Sequence, residues 1–365
     1  MDALTLPLNW QRVRLGDIAE IKRGVRITKN ELDVFGKYPV VSGGVGFLGY
    51  TNNFNRYENT ITIAQYGTAG YVNFQKNKFW ANDVCFCIYP NKDIIKNIFL
   101  YYFLKVNQNY LYEISNRNAT PYSISKDKIL DFEIPLPPLN EQIAIANILS
   151  ALDRYLYALR ALILKKEGVK KALSFELLSQ RKRLKGFNQA WQRVRLGDIC
   201  EITTGSLDAN EMVHYGKYRF YTCAKEYYFI DKYAFDTEAI LVSGNGAYVG
   251  YVHYYKGKFN AYQRTYVLDN FSKHIIFVKY FLTMFLQSHI QTNRNEGNTP
   301  YIVMATLKDF EIPLPPLNEQ IAIANILSGL DHEIISLKNK KRQFDNIKKA
   351  LNHDLMSAKI RVLKK

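Results

Sequence analysis

Features that would point to a secreted, disulfide-linked or membrane protein are missing from this sequence. The start of the chain lacks the basic and apolar segments of a secretory signal. The most apolar stretch, HIIFVKYFLTMFLQ from His274, contains Lys279 and is too short to span a bilayer. The four cysteines form no CxxC pair, which favours free thiols over zinc ligands or disulfides. We therefore expect a cytoplasmic protein with no metal site and no membrane partner.

Sequence motifs of common enzymes are also scarce. The Walker A, HExxH and GxSxG motifs are absent. One GxGxxG pattern occurs at Gly44, Gly46 and Gly49. A dinucleotide site needs a strand, a turn and a helix around this pattern, and the surrounding sequence does not clearly predict them. We therefore predict no catalytic residues in this chain.

Two blocks of sequence, in contrast, occur twice. WQRVRLGDI runs from Trp10 to Ile18 and again from Trp191 to Ile199, and DFEIPLPPLNEQIAIANILS occupies residues 131–150 and again 309–328. The copies of the first block are 181 residues apart and those of the second are 178 apart, so the sequence between them differs in length. Repeats of this kind predict two similar domains. All six histidines follow residue 213, so no histidine-based catalytic site can be common to both domains.

Most of the positive charge lies in two short segments. The formal charge is +16. Residues 154–189 hold 10 basic and 2 acidic side chains, and residues 332–365 hold 10 and 3, whereas the rest of the chain is close to neutral. Each of these segments follows a PLPPLNEQ block. A basic segment of this kind is either a solvated helix face or a surface close to a DNA backbone, and the sequence leaves both interpretations open.

A long helix is predicted after each pair of prolines. Pro137 and Pro138 cannot continue a strand. Asn140 suits an N-cap, and Glu141 suits the first turn, where the helix dipole favours negative charge. Apolar residues then recur at spacings of three and four over about 40 residues, or roughly 60 Å, as in a coiled coil. The predicted seam residues are Leu149, Leu152, Leu156 and Leu159 in the first helix and Leu327, Leu330, Ile334 and Leu337 in the second.

The two helices are expected to pack against each other. Antiparallel packing is the simpler arrangement because both carry the same stripe and both follow a globular half, and parallel packing is the alternative. Lys166 and Lys170 interrupt the first seam, and Lys341 and Lys348 interrupt the second. We interpret Lys166, Lys170 and Lys341 as positions where the helices could separate.

The globular halves contain two pairs of candidate DNA-binding loops. Short Tyr, Phe, Val and Ile runs separated by Gly and Asn predict strands and hairpins, with helices near residues 94–112 and 273–291. SNRNATPYSIS corresponds to TNRNEGNTPYIVM, and QYGTAGY to SGNGAYVGY. Arginine and asparagine can read bases, and hydroxyls and backbone amides can bind phosphates, although turn chemistry also explains such residues. The candidates are Arg117, Asn118, Thr120, Tyr122, Tyr66 and Thr68 in the first half and Arg294, Asn295, Asn298, Thr299, Tyr301, Asn245 and Tyr248 in the second.

The repeated blocks resemble those of one known family. IPLPPLNEQIAIANIL, the two WQRVRLGDI openings and GTAGYVNF look like parts of the specificity subunit of type I restriction-modification systems, and the likeness covers essentially the whole chain. The resemblance implies an α+β fold in which two mixed α/β target recognition domains are separated by two long antiparallel coiled-coil helices, with an internal pseudo-twofold repeat. The corresponding segments are a first recognition domain at 1–139, a helix at 140–187, a second domain at 188–317 and a helix at 318–365.

The resemblance also implies a function and partners. Each domain would read one half of a bipartite double-stranded DNA target, and the chain itself would not be an enzyme. Two methyltransferase subunits would dock on the repeated helical regions, and restriction or motor subunits would join them. S-adenosylmethionine, ATP and magnesium would be bound by those partners, and no cofactor by this chain. The predicted docking residues are Pro137, Pro138, Asn140, Glu141 and Gln142 in the first copy and Pro315, Pro316, Asn318, Glu319 and Gln320 in the second.

This function would explain the repeats. Two identical partners need two identical surfaces, whereas two different half-sites need two different readers. Recent duplication is another explanation. An assembly scaffold with two protein-binding domains is the alternative function, and its binding would be insensitive to salt and to changes at Arg117 or Arg294, whereas DNA affinity falls steeply with salt.

Overall fold

The computed structural model describes residues 7–118, 120–293 and 300–363. Two compact units make up the chain, and the first is not one continuous segment. The first unit comprises Met1–Arg160 and Asn339–Lys365, and the second comprises Ala161–Lys338. Each unit therefore combines a globular part with a portion of each of two long helices.

The first unit is built from short strands and helices. In chain order they are β1 (Gln11–Arg14), α1 (Leu15–Ile18), β2 (Ala19–Arg23), β3 (Tyr38–Val41), β4 (Gly49–Thr51), β5 (Thr60–Ala64), β6 (Val72–Gln75), β7 (Trp80–Ala81), β8 (Cys85–Pro90), α2 (Asn97–Val106), α3 (Gln108–Glu113), α4 (Lys126–Leu130), β9 (Glu133–Leu136) and α5 (Leu139–Leu178), which continues into the second unit. The strands form three sheets with the orders β2-β8-β5-β6, β4-β3-β7 and β1-β9.

The second unit follows a similar order of elements, with two longer strands in its main sheet. Its elements are β10 (Gln192–Arg195), β11 (Glu201–Thr204), β12 (Tyr218–Tyr221), β13 (Tyr228–Ile230), β14 (Phe235–Ser243), β15 (Val252–Ala261), β16 (Thr265–Asp269), α6 (Ile275–Asn293), α7 (Met304–Lys308), β17 (Glu311–Leu314) and α8 (Leu317–Met356), which continues into the first unit. The sheet orders are β11-β16-β14-β15-β12-β13 and β10-β17. Because β15 is continuous where β6 and β7 are separate, one sheet here replaces two sheets of the first unit.

Each unit has its own apolar core. In the first unit, the central strand β5 (TITIA) is buried along its whole length, and Phe99, Leu100 and Phe103 of α2 belong to the same cluster. Leu355 and Met356, from the end of α8, complete this cluster. In the second unit, β14, β16 and α6 form the corresponding core with Leu177 and Leu178 from the end of α5. The predicted helices near 94–112 and 273–291 are thus confirmed as α2, α3 and α6.

The two long helices have 40 residues each, as predicted. The predicted N-cap at Asn140 is wrong, because the first turn begins earlier. The carbonyl of Pro138 accepts hydrogen bonds from the backbone N–H groups of Glu141 and Gln142, both at 3.0 Å. Asn140 is therefore already helical, and its side chain accepts a hydrogen bond from the N–H of Glu141.

Within each unit the helix segments run antiparallel. In the first unit, Asp153 is paired with Lys348, and the rings of Tyr155 and Phe344 lie 4.7 Å apart. In the second unit, Lys166 is paired with Glu333, and Lys170 with Asp331. Partner numbers fall along α8 as they rise along α5, so the expected antiparallel packing and the mixed α/β fold class are confirmed. Of the predicted seam, the structure buries Leu149, Leu156, Leu159, Leu327 and Ile334 and half-buries Leu152, Leu330 and Leu337.

The GxGxxG pattern has no role in a dinucleotide fold. Gly44 and Gly46 lie in the connection between the antiparallel strands β3 and β4, and Gly49 begins β4. A dinucleotide fingerprint needs a helix that starts at the glycine-rich turn, and here a strand follows instead. Gly44 and Gly46 belong to the loop of a hairpin, and Gly49 belongs to its second strand.

Candidate nucleic-acid interface and its repeated frame

The two copied blocks of each unit fold onto one another. β1, from the WQRVR block, pairs antiparallel with β9, from the EIPL block, and Val13 lies opposite Ile134. β10 and β17 pair in the same register, with Val194 opposite Ile312. The repeated sequence therefore encodes one structural frame, which is built twice.

A buried glutamate joins the blocks within each frame. In the first unit, Trp10 Nε1 donates to Glu141 Oε2 at 3.1 Å, and Arg361 donates through Nε and Nη2 at 2.6 and 2.8 Å. In the second unit, the carboxylate of Glu319 accepts a hydrogen bond from Trp191 Nε1 at 3.2 Å. It also accepts hydrogen bonds from Arg183 Nε and Nη2 at 3.2 and 2.6 Å. Each carboxylate is thus held by an indole and a two-pronged arginine.

The neighbouring glutamines fix the start of each long helix. Gln142 donates to the carbonyls of Pro137 and Ile94 and accepts from the N–H of Lys96 at 2.7 Å. Gln320 donates to Pro315 at 2.7 Å and accepts from the N–H of His274 at 3.1 Å. Each glutamine amide thus joins the start of a long helix to the residue that directly precedes α2 or α6. These two helices come before the candidate DNA-binding loops at Arg117 and Arg294, which are called reading loops below.

The predicted docking residues therefore fall into two groups. The buried members are Pro137, Glu141, Gln142, Pro315, Glu319 and Gln320, and the half-buried members are Pro138 and Pro316. Their polar side chains are engaged within the unit. Asn140 and Asn318 are exposed at equivalent positions, and for them the docking role stays a prediction.

The lysines that interrupt the seams are paired rather than left at a gap between the helices. Lys170 forms an ion pair with Asp331, which also accepts a hydrogen bond from Tyr280 Oη at 2.6 Å. Burial alone would raise the pKa of Asp331, but hydrogen bonds from Lys170 and Tyr280 and the charges of Lys170 and Lys279 hold that pKa below its usual value. Burial and the bond to Asp331 raise the pKa of Tyr280 well above its usual value.

An equivalent cluster lies in the first unit. Asp153 is paired with Lys348 and accepts from Tyr102 Oη at 2.6 Å. Asp153 and Asp331, like Lys170 and Lys348, are separated by the same 178 residues as the copied blocks. In each unit, a lysine from one long helix and a tyrosine from the globular part thus meet on an aspartate of the other helix. The interpretation of Lys166 and Lys170 as points of separation is wrong, because each lysine has an acidic partner on the facing helix. Lys341 is paired with Asp345 of its own helix, and for it the interpretation stays a prediction.

The candidate reading loops of the first unit meet at one surface. The N–H of Gly67 donates to Tyr122 O at 3.0 Å, and the N–H of Ile124 donates to Gln65 O at 2.9 Å. This arrangement brings Tyr66 and Thr68 beside the loop that carries Asn118, Thr120 and Tyr122.

On this surface, the guanidinium group of Arg117 packs against two tyrosine rings. Its guanidinium carbon lies 5.1 Å from the ring centroid of Tyr112 and 4.9 Å from that of Tyr122, and its Nε donates to Tyr112 O at 3.0 Å. The side chain of Arg117 is nonetheless exposed. An arginine held in this way presents a planar donor group at a fixed place, which suits contact with a base edge or a phosphate.

The second unit repeats this arrangement. Asn245 forms a β-bridge with Tyr301, and the N–H of Gly246 donates to Pro300 O at 2.9 Å. Gly67 and Gly246 both have positive φ, of 77° and 81°, a conformation that favours glycine. Tyr248 is exposed. The predicted residues Arg294, Asn295, Asn298 and Thr299 lie outside the described residues.

A third loop joins this surface in each unit, and the sequence prediction did not include it. In the first unit this loop is residues 42–48, which connect the hairpin strands β3 and β4. In the second unit it is residues 222–227, which connect the hairpin strands β12 and β13. Thr68 donates to Gly43 O from its backbone N at 2.9 Å and from Oγ1 at 2.6 Å. The Lys225 ammonium lies 5.0 Å from the ring centroid of Tyr248. In the first unit, the glycine-rich sequence GGVGFLG was the signal from which this loop could have been predicted.

Three further properties bear on function. Among residues 7–118, 120–293 and 300–363, no group of three or more His, Cys, Asp or Glu side chains is placed to hold a metal ion. No helix in the described part of the chain has both the length and the apolar character needed to cross a membrane. All four cysteines are free.

Two units with the same frame and different surface loops define a modular recognition protein. The chain belongs to the type I restriction modification DNA specificity domain family, whose model matches residues 7–166 and 188–344. The resemblance seen in the sequence is thereby confirmed, and the chain is assigned as a DNA-recognition subunit rather than an enzyme.

The chain is also similar to individual type I specificity subunits. The type I restriction enzyme EcoDI specificity subunit of Escherichia coli is 37% identical over 170 residues, which cover 46% of this chain and 37% of that protein. The MjaVIII specificity subunit of Methanocaldococcus jannaschii is 25% identical over 420 residues, 99% of this chain and 95% of that protein. The crystal structure of a type I S subunit from Mycoplasma genitalium shares the fold, with a TM-score of 0.75, 21% identity and 98% of each chain covered.

Proposed function

We propose that the chain reads a bipartite double-stranded DNA target, with one half-site for each unit. The observation that carries this proposal is that both units contain the same frame, while the candidate loops that hydrogen-bond to one another in each unit differ in sequence. A shared frame with different loops suits two half-sites of different sequence. The exposed Arg117 on its tyrosine rings supplies a donor of the type that reads guanine in the major groove.

We further propose that two methyltransferase subunits dock on this chain, one on the start of each long helix. Asn140, Ile143 and Ile148 lie on the exposed side of α5, and the two isoleucines are 45% and 36% exposed. Asn318, Ile321 and Ile326 are their counterparts on α8, and these isoleucines are 39% and 38% exposed. Exposed isoleucines at equivalent places of both units support two copies of one apolar partner surface.

Chemistry in this assembly belongs to the partners. S-adenosylmethionine would be bound by the methyltransferase subunits, and ATP and magnesium by restriction or motor subunits that join them. The role of this chain is to place those partners over a chosen DNA sequence.

The test is a single-molecule methylation map of plasmid DNA from cells that express the cognate methyltransferase subunit, with and without this chain. The expected result is a split, adenine-methylated motif that appears only with the chain. If both proteins are expressed and no chain-dependent motif appears, the recognition function is contradicted.

A further inference from the structure

The loops at residues 42–48 and 222–227, called here the hairpin loops, occupy the same place in both units. β3 and β4 are last paired at Val40 and Gly49, and β12 and β13 at Phe220 and Tyr228. Val45 and Lys225 each follow the last paired residue of the first strand by five positions. Both are exposed, so each forms part of the surface that its loop presents.

In the first unit, the hairpin loop is fastened tightly to a predicted reading loop. Both hydrogen bonds from Thr68 end on the carbonyl of Gly43. A Cβ atom added to Gly43 would lie 2.2 Å from the carbonyl oxygen of Tyr66, so this approach requires glycine. The start of the hairpin loop, at Gly43, therefore has a defined place beside Tyr66 and Thr68.

In the second unit, the hairpin loop is also held in place. His253 Nε2 lies 2.8 Å from the carbonyl oxygen of Ala224, and Cys223 Sγ lies 3.2 Å from that of Arg264. The same carbonyl of Arg264 accepts from the N–H of Gly244 at 2.8 Å, at the start of the Asn245 loop. The Lys225 ammonium and the exposed Tyr248 ring therefore belong to one continuous surface.

The two hairpin loops differ in chemistry. Residues 42–48, SGGVGFL, contain no charged side chain, and Val45 and Phe47 are 59% and 50% exposed. Residues 222–227, TCAKEY, carry Lys225 at the corresponding position. In the major groove, lysine donates to O6 and N7 of guanine, whereas an apolar side chain contacts the methyl group of thymine.

We infer that the hairpin loops are specificity loops of opposite chemistry, in which Lys225 selects guanine in one half-site and Val45 selects thymine in the other. This inference rests on the proposed function and refines it to single base pairs. The proposed contacts of Lys225 and Val45 are with base edges rather than with phosphates. A phosphate contact would weaken binding to all sequences alike, whereas a base contact changes which base is accepted.

The experiment is the same methylation map, made with the full chain and its methyltransferase subunit and repeated with Lys225→Val and Val45→Lys. Lys225→Val is expected to lower the preference for guanine by about tenfold or more at one position of one half-site. The other half-site is expected to remain unchanged. Val45→Lys is expected to remove a thymine preference from the opposite half-site only.

Matched controls come from exposed side chains outside the hairpin loops. Lys232→Val and Val34→Lys make the same exchanges at exposed positions of the two units, and both are expected to leave the motif unchanged. Lys225→Arg keeps a donor that can reach the same guanine atoms. The Arg variant is expected to retain the guanine preference even if Lys225→Val abolishes methylation.

Three results would overturn the inference. The first is an unchanged motif in both variants, and the second is a uniform fall in methylation over all sites without a change of base. The third is a wild-type motif in which neither half-site contains a G·C pair. In each case a wild-type bipartite motif would still support the proposed function, whereas the absence of any chain-dependent motif would contradict the proposed function itself.

Discussion

At the scale of single residues, Glu141 and Glu319 explain why a tryptophan block and a proline block are repeated together. The two glutamates are 2% and 0% exposed, and each is held by one tryptophan and one arginine from distant parts of the sequence. A buried carboxylate is costly unless charged or polar partners surround it. Each block therefore stabilises the other through this hydrogen bond.

We expect Glu319→Gln to destabilise the second unit. The substitution removes the negative charge opposite Arg183 and is expected to lower the free energy of unfolding by about 2 kcal/mol. This is less than the roughly 3 to 5 kcal/mol of a fully buried pair, because the Arg183 side chain is 28% exposed. The measurement is equilibrium unfolding in urea, followed by circular dichroism.

The matched control for this change is Glu311→Gln. Glu311 is paired with Arg193 at 3.2 Å, but its side chain is 56% exposed and that of Arg193 is 80% exposed. Such pairs contribute about 1 kcal/mol or less. Equal losses of stability in the two variants would contradict the structural role of Glu319.

At the scale of elements, the charged side chains within the helix seams set the pairing of the two helices. Asp331 is held by Lys170 of the facing helix and by Tyr280 of α6. Shifting one helix by a turn would leave a half-buried charge without its partner, and this is unfavourable. An apolar seam alone tolerates such shifts more easily, because any leucine can replace another.

The stability given by this cluster should depend on pH. The pKa of Asp331 is lower in the folded chain than in the unfolded chain, where it is about 3.9. Its contribution is therefore fully present above that value and is lost as the pH falls through the folded pKa. We expect the stability difference between wild type and Asp331→Asn to be largest above about pH 4 and to shrink below it.

Urea unfolding midpoints measured from pH 6 down to pH 3 would test this expectation. Asp309→Asn is a suitable control, because its ion pair with Arg195 is exposed and contributes about 1 kcal/mol or less. A difference between wild type and Asp331→Asn that stays constant over the whole range would show that ionisation of Asp331 does not stabilise the helix pair.

At the scale of the whole molecule, repetition of a surface should produce repetition of binding. We expect the wild-type chain to bind two methyltransferase subunits, Ile143→Glu or Ile321→Glu to bind one, and the double variant to bind none. A buried glutamate in place of isoleucine would remove apolar contact and add an unpaired charge to the interface. Native mass spectrometry of the purified complexes would count the subunits.

Ile347→Glu provides the control for this experiment. Ile347 lies on α8, is 50% exposed and is outside both copied blocks. The Ile347→Glu variant is expected to bind two methyltransferase subunits, as the wild type does. Retention of two subunits by the double variant would place the docking surface elsewhere.

Much of this architecture could be predicted from the sequence, for identifiable reasons. The copied blocks predicted two similar units, and the spacing of leucines predicted helices close to their observed length, because both signals are local. The bond between Trp10 and Glu141 spans 131 residues of sequence, so no local pattern contains it. Glu141 and Gln142 were predicted as docking residues from the repeated block and the family resemblance, and only the tertiary structure shows that they are buried.

The division of the chain into units also has a consequence for its synthesis on the ribosome. Leu355, Met356 and Arg361 belong to the first unit, although they are translated after the whole second unit, Ala161–Lys338. At about 5 to 20 residues per second, the whole second unit takes roughly 10 to 35 s to be made before they emerge. During that interval the nascent first unit lacks part of its core and the arginine partner of Glu141, so the unit that is begun first is completed after the second.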